Sequence, residues 1–224
     1  PETVANFTAC GYYMARELQK ELGVPIGLIN SSWGGTRVEP WVAPIGFKNV
    51  PELSDIYQSV MGRTPGTRSY QKRLKNFIAA SEKWLTEAKG KVDSTELLSA
   101  SPAYPAELAP YKSHQDPTML YNGMIHAVVG FPIRGVIWYQ GESNAETGLR
   151  VRQHDLLFTT LVSQWRQAWK DPQLPFLYVQ LPAMNRAHWP AFRESQRRML
   201  DKMDQLGMAV TLDLGRKNDV HPPL

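Results

Sequence analysis

The chain has 224 residues, 42% hydrophobic and 21% charged, an ordinary balance for a folded domain with a sizeable core. Twenty-five Lys and Arg against 21 Asp and Glu leave a net charge of +4 with no basic run longer than a pair, so neither nucleic acid nor a membrane is suggested as a partner. The single cysteine, Cys10, excludes an internal disulfide. His114, His126, His154, His188 and His221 show no metal-ligand spacing, and no apolar run approaches the ~18 residues of a membrane span.

In chain order, residues 6–22 place Phe7, Cys10, Tyr13 or Met14, Ala15 and Leu18 on a helical stripe that Gly23 stops. The run "VPIGLINSSWGG" reads as a short buried strand over 25–31 ending in a polar, glycine-rich turn. Residues 42–72 lack a period and are expected to be loop with short helical pieces. The cleanest helix is "YQKRLKNFIAASEKWLTEAKGK", with Leu74, Phe77, Ile78, Trp84, Leu85 and Ala88 on one face. Pro102, Pro105, Pro110 and Pro117 make 99–117 an irregular excursion, so an insertion is expected over about 42–117 of a single domain spanning 1–224.

A short helix over 118–129 precedes a strand over 134–139, then an amphipathic helix over 150–169 with Leu157, Phe158, Leu161, Val162, Trp165 and Trp169 inward. A strand over 175–181, a helix opening at Pro190 and a last strand over 207–215 complete the pattern. There is no internal repeat and no low-complexity segment. Four strands alternating with helices predict an α/β fold, a parallel sheet with helices on both faces, where ligands bind beyond the carboxyl ends of the strands. Ser31–Thr36, Gln140–Asn144 and Asn218–His221 each follow a predicted strand and should meet at one edge.

Each cluster has a chemical reading beside a structural one. Asp219 two residues before His221 can hold one imidazole tautomer and free the other nitrogen as a general base, although such a pair also occurs by chance. Gly34 and Gly35 before Thr36 can aim backbone N–H groups at an oxyanion, or simply form a tight turn. The amides of Gln140 and Asn144 suit an oxyanion too, and Glu142 can orient His221 or a substrate hydroxyl. The same residues can instead build a polar turn or cap the next helix. Gly-Glu-Ser-Asn-Ala at 141–145 approaches a G-x-S-x-G elbow, which makes Ser143 an alternative nucleophile of α/β-hydrolase type. Trp33, Trp41 and Trp138 could be sugar platforms, with burial in a core the default. His114 and His154 are read as exposed and structural.

Together "VPIGLINSSWGGTRVEPW", "LYNGMIHAVVGFPIRGVIWYQGESNA", "FRESQ" and "DLGRKNDVHPP" resemble the sialate O-acetylesterase family of carbohydrate esterases, within the SGNH-hydrolase superfamily. The resemblance covers both ends and the second half of the chain. It implies a flavodoxin-like three-layer sandwich that removes acetyl groups from O-acetylated sugars, with sialic acid one candidate, by a Ser-His mechanism. It implies no metal or organic cofactor, and a secreted or periplasmic location. Gly35 then supplies an oxyanion-hole N–H, Gln140, Glu142 and Asn144 belong to the active-site floor, and His221 is the base, with Asp219 or Glu142 orienting it.

Two departures matter. The superfamily's Asp lies three residues before the His, where this chain has Asn218. The family's nucleophilic serine lies in a Gly-Gln-Ser-Asn turn that does not occur here. The sequence opens at Pro1 and ends at Leu224 with no helix beyond the last loop, so it reads as a piece of a longer protein lacking the N-terminal part of the catalytic domain. On that reading the chain alone is inactive, and a sheet edge left bare invites self-association. A non-catalytic carbohydrate-binding module is the alternative from another class.

Overall fold

A computed structural model describes residues 4, 7–216 and 218–221. Asn6 of the first predicted helix and Lys217, Pro222 and Pro223 of the closing motif lie outside the described residues. The α/β class and the parallel sheet expected from the sequence are present. Strands β1 (Val136–Trp138), β2 (Phe176–Val179) and β3 (Leu206–Ala209) pair in the order β1-β2-β3, all parallel, with Val136 opposite Phe176 and Phe176 opposite Leu206.

Helix α1 (Ala9–Leu22) is capped by the Thr8 hydroxyl, which accepts from Gly11 N–H, and ends at Gly23 in the left-handed conformation. Of its predicted inward stripe only Ala15 is buried, while Tyr13 and Leu18 are exposed. The strand expected over 25–31 is absent. That segment pairs with no strand, and Val24 and Ile29 are exposed, so its apolar residues have no ladder or core to join. Three strands rather than four are thus present among the described residues.

Between Glu39 and Leu53 the chain makes three short 3-10 turns, followed by α2 (Ser54–Arg63) and α3 (Arg68–Gly90). The α3 register matches the predicted helix, yet none of its residues is buried, and Ile78 and Leu85 are exposed. It packs on α2 and on the proline-rich excursion rather than on the main core. Trp84 Nε1 donates to Ser99 carbonyl oxygen at 2.8 Å, and Phe77 meets the Tyr104 ring edge-on. The short helix after Thr118 is irregular, a π turn over Tyr121–Ile125 followed by a 3-10 turn over His126–Val128.

Helices α4 (Gly148–Trp169) and α5 (Trp189–Arg198) connect β1 to β2 and β2 to β3. Crossovers of one hand place both on the same sheet face, and they pack against each other there. Phe158, Leu161 and Trp165 from α4 cover Trp138, Phe176 and Tyr178 from the strands; Trp41 and Phe47 from the early turns close the same core. Strand alternation turns Ile137 and Tyr139 to the other side of the sheet. At the amino-terminal end of the sheet, the Arg166 guanidinium ties the strand entrances together by donating to the carbonyls of Leu174, Asp204 and Gln205.

Candidate active site

The carboxyl ends of the three strands carry the polar loops. After β1 the chain must turn at Gly141, whose φ of +148° and missing Cβ let Phe192 of α5 close against it; a Cβ there would come within 2.7 Å of the Phe192 ring. This turn sends Gln140 and Asn144 toward the 33–39 segment. Gln140 Nε2 donates to Thr36 carbonyl oxygen at 2.5 Å and to Asn144 Oδ1 at 3.0 Å. Asn144 is fully buried. Its Oδ1 also accepts from Val38 N–H at 2.9 Å, and its Nδ2 donates to Glu39 Oε2 at 3.0 Å. Glu39, itself buried, completes the chain with a 3.0 Å ion pair to Arg150 of α4.

Both amide hydrogens of Gln140 are therefore spent inside the protein, and Asn144 is engaged from both ends. Exchanging the Gln140 nitrogen and oxygen would set two carbonyl oxygens against each other at Thr36, so the assignment follows from the partners. In this arrangement Gln140 and Asn144 stitch two loops together, and the second Nδ2 hydrogen of Asn144 is buried with its residue.

Gly35 is different. Its φ is +72°, and a Cβ built on Gly34 or Gly35 would meet nothing within 4 Å, so the turn borders open space. Its carbonyl oxygen accepts from Ser143 Oγ at 2.8 Å and from Gln115 Nε2. Its N–H forms no hydrogen bond among the described residues. Beneath the turn, Thr36 Oγ1 donates to Trp33 carbonyl oxygen and accepts from Trp41 Nε1, both at 3.0 Å, which anchors the turn to the core.

The proline-rich excursion takes part, and the sequence reading missed it. Gln115 Oε1 accepts from Arg37 N–H at 3.2 Å while its amide nitrogen holds Gly35, and the His114 ring stacks on Trp33. Asp116 Oδ2 accepts from the N–H groups of Lys112 and Ser113, and Ser113 Oγ accepts from Gln115 N–H, so the loop tip is ordered by its own side chains. The available signal was Ser-x-x-Asp at 113–116, a local turn pattern with no hint of its distant partner.

The third cluster arrives at the same end of the sheet. After β3, Thr211 Oγ1 donates to Gln180 carbonyl oxygen at 2.6 Å, and Gly215 passes so near Ala183 that a Cβ would collide with its backbone. Val220 then packs on the cluster of Ala145, Val151, Leu181, Trp189 and Phe192, beside the Gly141 turn. Asp219 Oδ1 accepts from His221 N–H at 2.9 Å and lies 3.8 Å from His221 Nδ1, and the His221 side chain is 88% exposed. Glu142 is half-buried and makes no hydrogen bond to His221 among the described residues. Burial, followed by the Glu142 charge, pushes the Tyr139 phenol above its ordinary pKa.

Ser143 spends its proton on the Gly35 carbonyl, has no histidine nitrogen within hydrogen-bond reach among the described residues, and lacks the positive φ of a strained elbow. All three observations weigh against a nucleophile elbow. A second Ser-His pair was not read from the sequence. Ser195 Oγ donates to Phe192 carbonyl oxygen at 2.6 Å and lies 2.8 Å from His154 Nδ1, which then carries the proton of that bond. Both residues are buried, His154 between the Phe158 and Phe192 rings, so the exposed position expected for His154 is corrected. Burial lowers its pKa to about 4. The rest of "FRESQ" also fastens structure: Gln196 bonds Leu181 N–H and Val179 carbonyl oxygen, and Arg193 bonds Leu181 carbonyl oxygen. Among the described residues no three His, Cys, Asp or Glu are grouped to hold a metal ion.

A parallel α/β sheet with its polar loops tied together beyond the strand ends defines a ligand-site architecture of the open α/β class. The particular family follows from comparison. Residues 108–222, about half of the chain, match the model of the family described as carbohydrate esterase, sialic acid-specific acetylesterase, and the chain belongs to that family. A sialate O-acetylesterase of Mus musculus is 30% identical over 79% of this chain, and one of Rattus norvegicus is 29% identical over 97%. This chain spans 30% of the mouse protein's length and 40% of the rat protein's. The crystal structure of a carbohydrate acetylesterase from Xanthomonas citri superposes with a TM-score of 0.64 at 31% identity, covering 96% of this chain and 37% of that one.

Proposed function

We propose that these residues form the oxyanion and general-base side of a carbohydrate O-acetylesterase site, which removes acetyl groups from O-acetylated sugars, sialic acids among them. The observation that carries the reading is the Gly35 turn. Its N–H is unengaged among the described residues and the turn borders open space, while its carbonyl is held by Ser143 and Gln115 from two other loops. With φ fixed at +72° and the carbonyl clamped, the direction of the N–H is set before any ligand arrives. A preorganised donor of this kind is worth on the order of 3 kcal/mol when negative charge develops on an ester oxygen.

In the proposed reaction a serine hydroxyl attacks the acetyl carbonyl, His221 takes the hydroxyl proton, and Gly35 N–H stabilises the tetrahedral oxyanion. Collapse releases the sugar hydroxyl, protonated by His221, and leaves an acetyl-serine. Water, deprotonated by His221, then releases acetate. Asp219, which accepts from His221 N–H and lies 3.8 Å from its Nδ1, is the carboxylate assigned to orient the imidazole. The serine is assigned to the Gly-Gln-Ser-Asn motif of the family, which these 224 residues do not contain, so the chain alone is proposed to be inactive. The test is acetate release from an O-acetylated methyl glycoside and from an aryl acetate, by the 224 residues and by a version extended upstream. We expect turnover only in the extended version. Turnover by the 224 residues, lost on Ser143→Ala, would instead make Ser143 the nucleophile. Glycan binding without acetate release by either would favour a binding module.

A further inference from the structure

Three tryptophans are candidates for a sugar platform in the first half of the site, and the structure separates them. Trp41 and Trp138 are buried in the core, in contact with each other. Trp33 is 51% exposed and sits two residues before Gly35. Its indole is backed by the His114 imidazole, with ring centroids 5.3 Å apart and planes inclined by 21°. One face of the indole is thus supported, and about half of the side chain stays open to a ligand.

The support is rigid. His114 belongs to the tip ordered by Ser113 and Asp116, and its neighbour Gln115 bridges Gly35 and Arg37. The same peptide segment therefore fixes the aromatic stack and the oxyanion turn relative to each other. Two residues of chain span at most ~7 Å, comparable to the separation between an acetyl carbonyl and the ring that carries it. A buried tryptophan would need no ligand; a half-exposed one held flat against a second ring, beside an open turn, is an apolar surface kept for contact.

We infer that Trp33, stacked on His114, is the platform for the sugar ring of the acetylated substrate. The inference rests on the esterase reading for the identity of the ligand. The apolar C–H face of a pyranose lies on the free indole face, while the ester carbonyl reaches Gly35 N–H. The platform then acts on carbohydrate esters and has little to grip in a small aryl ester that lacks the sugar. It is the specificity element of the site, contributed half by the Gly-Gly turn and half by the excursion.

The experiment compares kcat/KM for an O-acetylated methyl glycoside with that for an aryl acetate in the complete enzyme, for wild type, Trp33→Ala, Trp33→Phe and His114→Ala. Trp33→Ala should lower the glycoside-to-aryl ratio roughly tenfold, mainly through KM, as about 1.4 kcal/mol of lost contact would give. Trp33→Phe should restore most of the ratio, and His114→Ala should lower it less than Trp33→Ala. An unchanged ratio in Trp33→Ala, whether activity stays or falls on both esters, overturns the platform. If wild type releases acetate from neither ester, the esterase reading fails, and binding decides the platform. Ligand-observed NMR of the non-acetylated methyl glycoside on the 224-residue chain should then report binding that Trp33→Ala weakens. No binding by wild type, or equal binding by both, overturns the inference.

Discussion

Acidification should destabilise this protein through His154 by an amount the structure permits one to calculate. The imidazole is 3% exposed, flanked by Phe158 and Phe192, and its Nδ1 is bonded to Ser195 Oγ. Of the charged groups around it, Asp155 favours protonation and Arg198 opposes it, and both effects are smaller than burial, which brings the pKa from 6.5 to about 4. The unfolded chain therefore binds the proton more tightly than the folded one. By linkage, the neutral histidine's contribution is fully present above pH ~6.5 and is lost as pH falls from there toward ~4. With these two pKa values the loss is about 2 kcal/mol at pH 5 and approaches about 3 kcal/mol below pH 4.

The assay is urea unfolding between pH 8 and 4.5, followed by intrinsic fluorescence, on wild type and on His154→Gln. The glutamine removes the titration but keeps a polar group of similar reach. Between pH 8 and pH 5 the wild type should lose about 2 kcal/mol more than the variant, or ~4–8 °C of melting temperature for a chain of this size. All other titrating groups are common to both proteins and cancel in the difference. Parallel pH profiles would refute the reasoning, since they would mean that His154 is hydrated or exchanges its proton without opening the α4–α5 interface.

Gly141→Ala should destabilise by about 1–3 kcal/mol because its Cβ would meet the Phe192 ring, whereas Gly34→Ala, with open space around it, should cost much less; chemical denaturation of both variants checks the contrast. Asn144→Ala leaves the buried Glu39 carboxylate and Val38 N–H short of a partner, and should cost about 2–3 kcal/mol by the same measurement. That loss should shrink in a Glu39→Gln background. In the complete enzyme, His221→Ala should lower turnover of an aryl acetate by about 10²–10⁴-fold; a loss under threefold in the steady-state rate would remove His221 from the base role.

Much of the frame was legible because α/β periodicity is a local signal. The inward residues of α4, the strand cores at 136–138 and 176–179 and the stop at Gly23 all follow from spacing and residue type. The strand expected over 25–31 failed for a reason that lies outside its own residues. An apolar run becomes a strand only where a partner supplies the ladder, and Val24 and Ile29 have none. The stripe on α3 was read with the right phase, but periodicity gives a helix's apolar face without saying how much protein covers it. His154 was misplaced because a histidine on an amphipathic helix carries no mark of the Ser195 hydroxyl that meets it 41 positions later.

The site was legible as a location more than as a set of roles. Gln140, Ser143 and Asn144 do meet the Gly35 segment, as their positions after a strand implied, but all three are consumed there. Gln140 and Asn144 bind backbone and one another, and Ser143 binds the Gly35 carbonyl. A side-chain amide is equally suited to an oxyanion and to an unpaired peptide group, and sequence cannot say which it will find first. Burial decides it. At zero exposure Asn144 cannot reach a substrate, and its value lies in fixing Val38 and Glu39 under the turn. Gln115, hidden in a proline-rich stretch with no period, completes the same clamp from the opposite side. Electrostatic assistance from a backbone N–H depends on its orientation being paid for in the folding of the protein. Here Ser143 and Gln115, from two loops far apart in sequence, hold the Gly35 carbonyl, while the N–H of the same residue takes no hydrogen bond among the described residues.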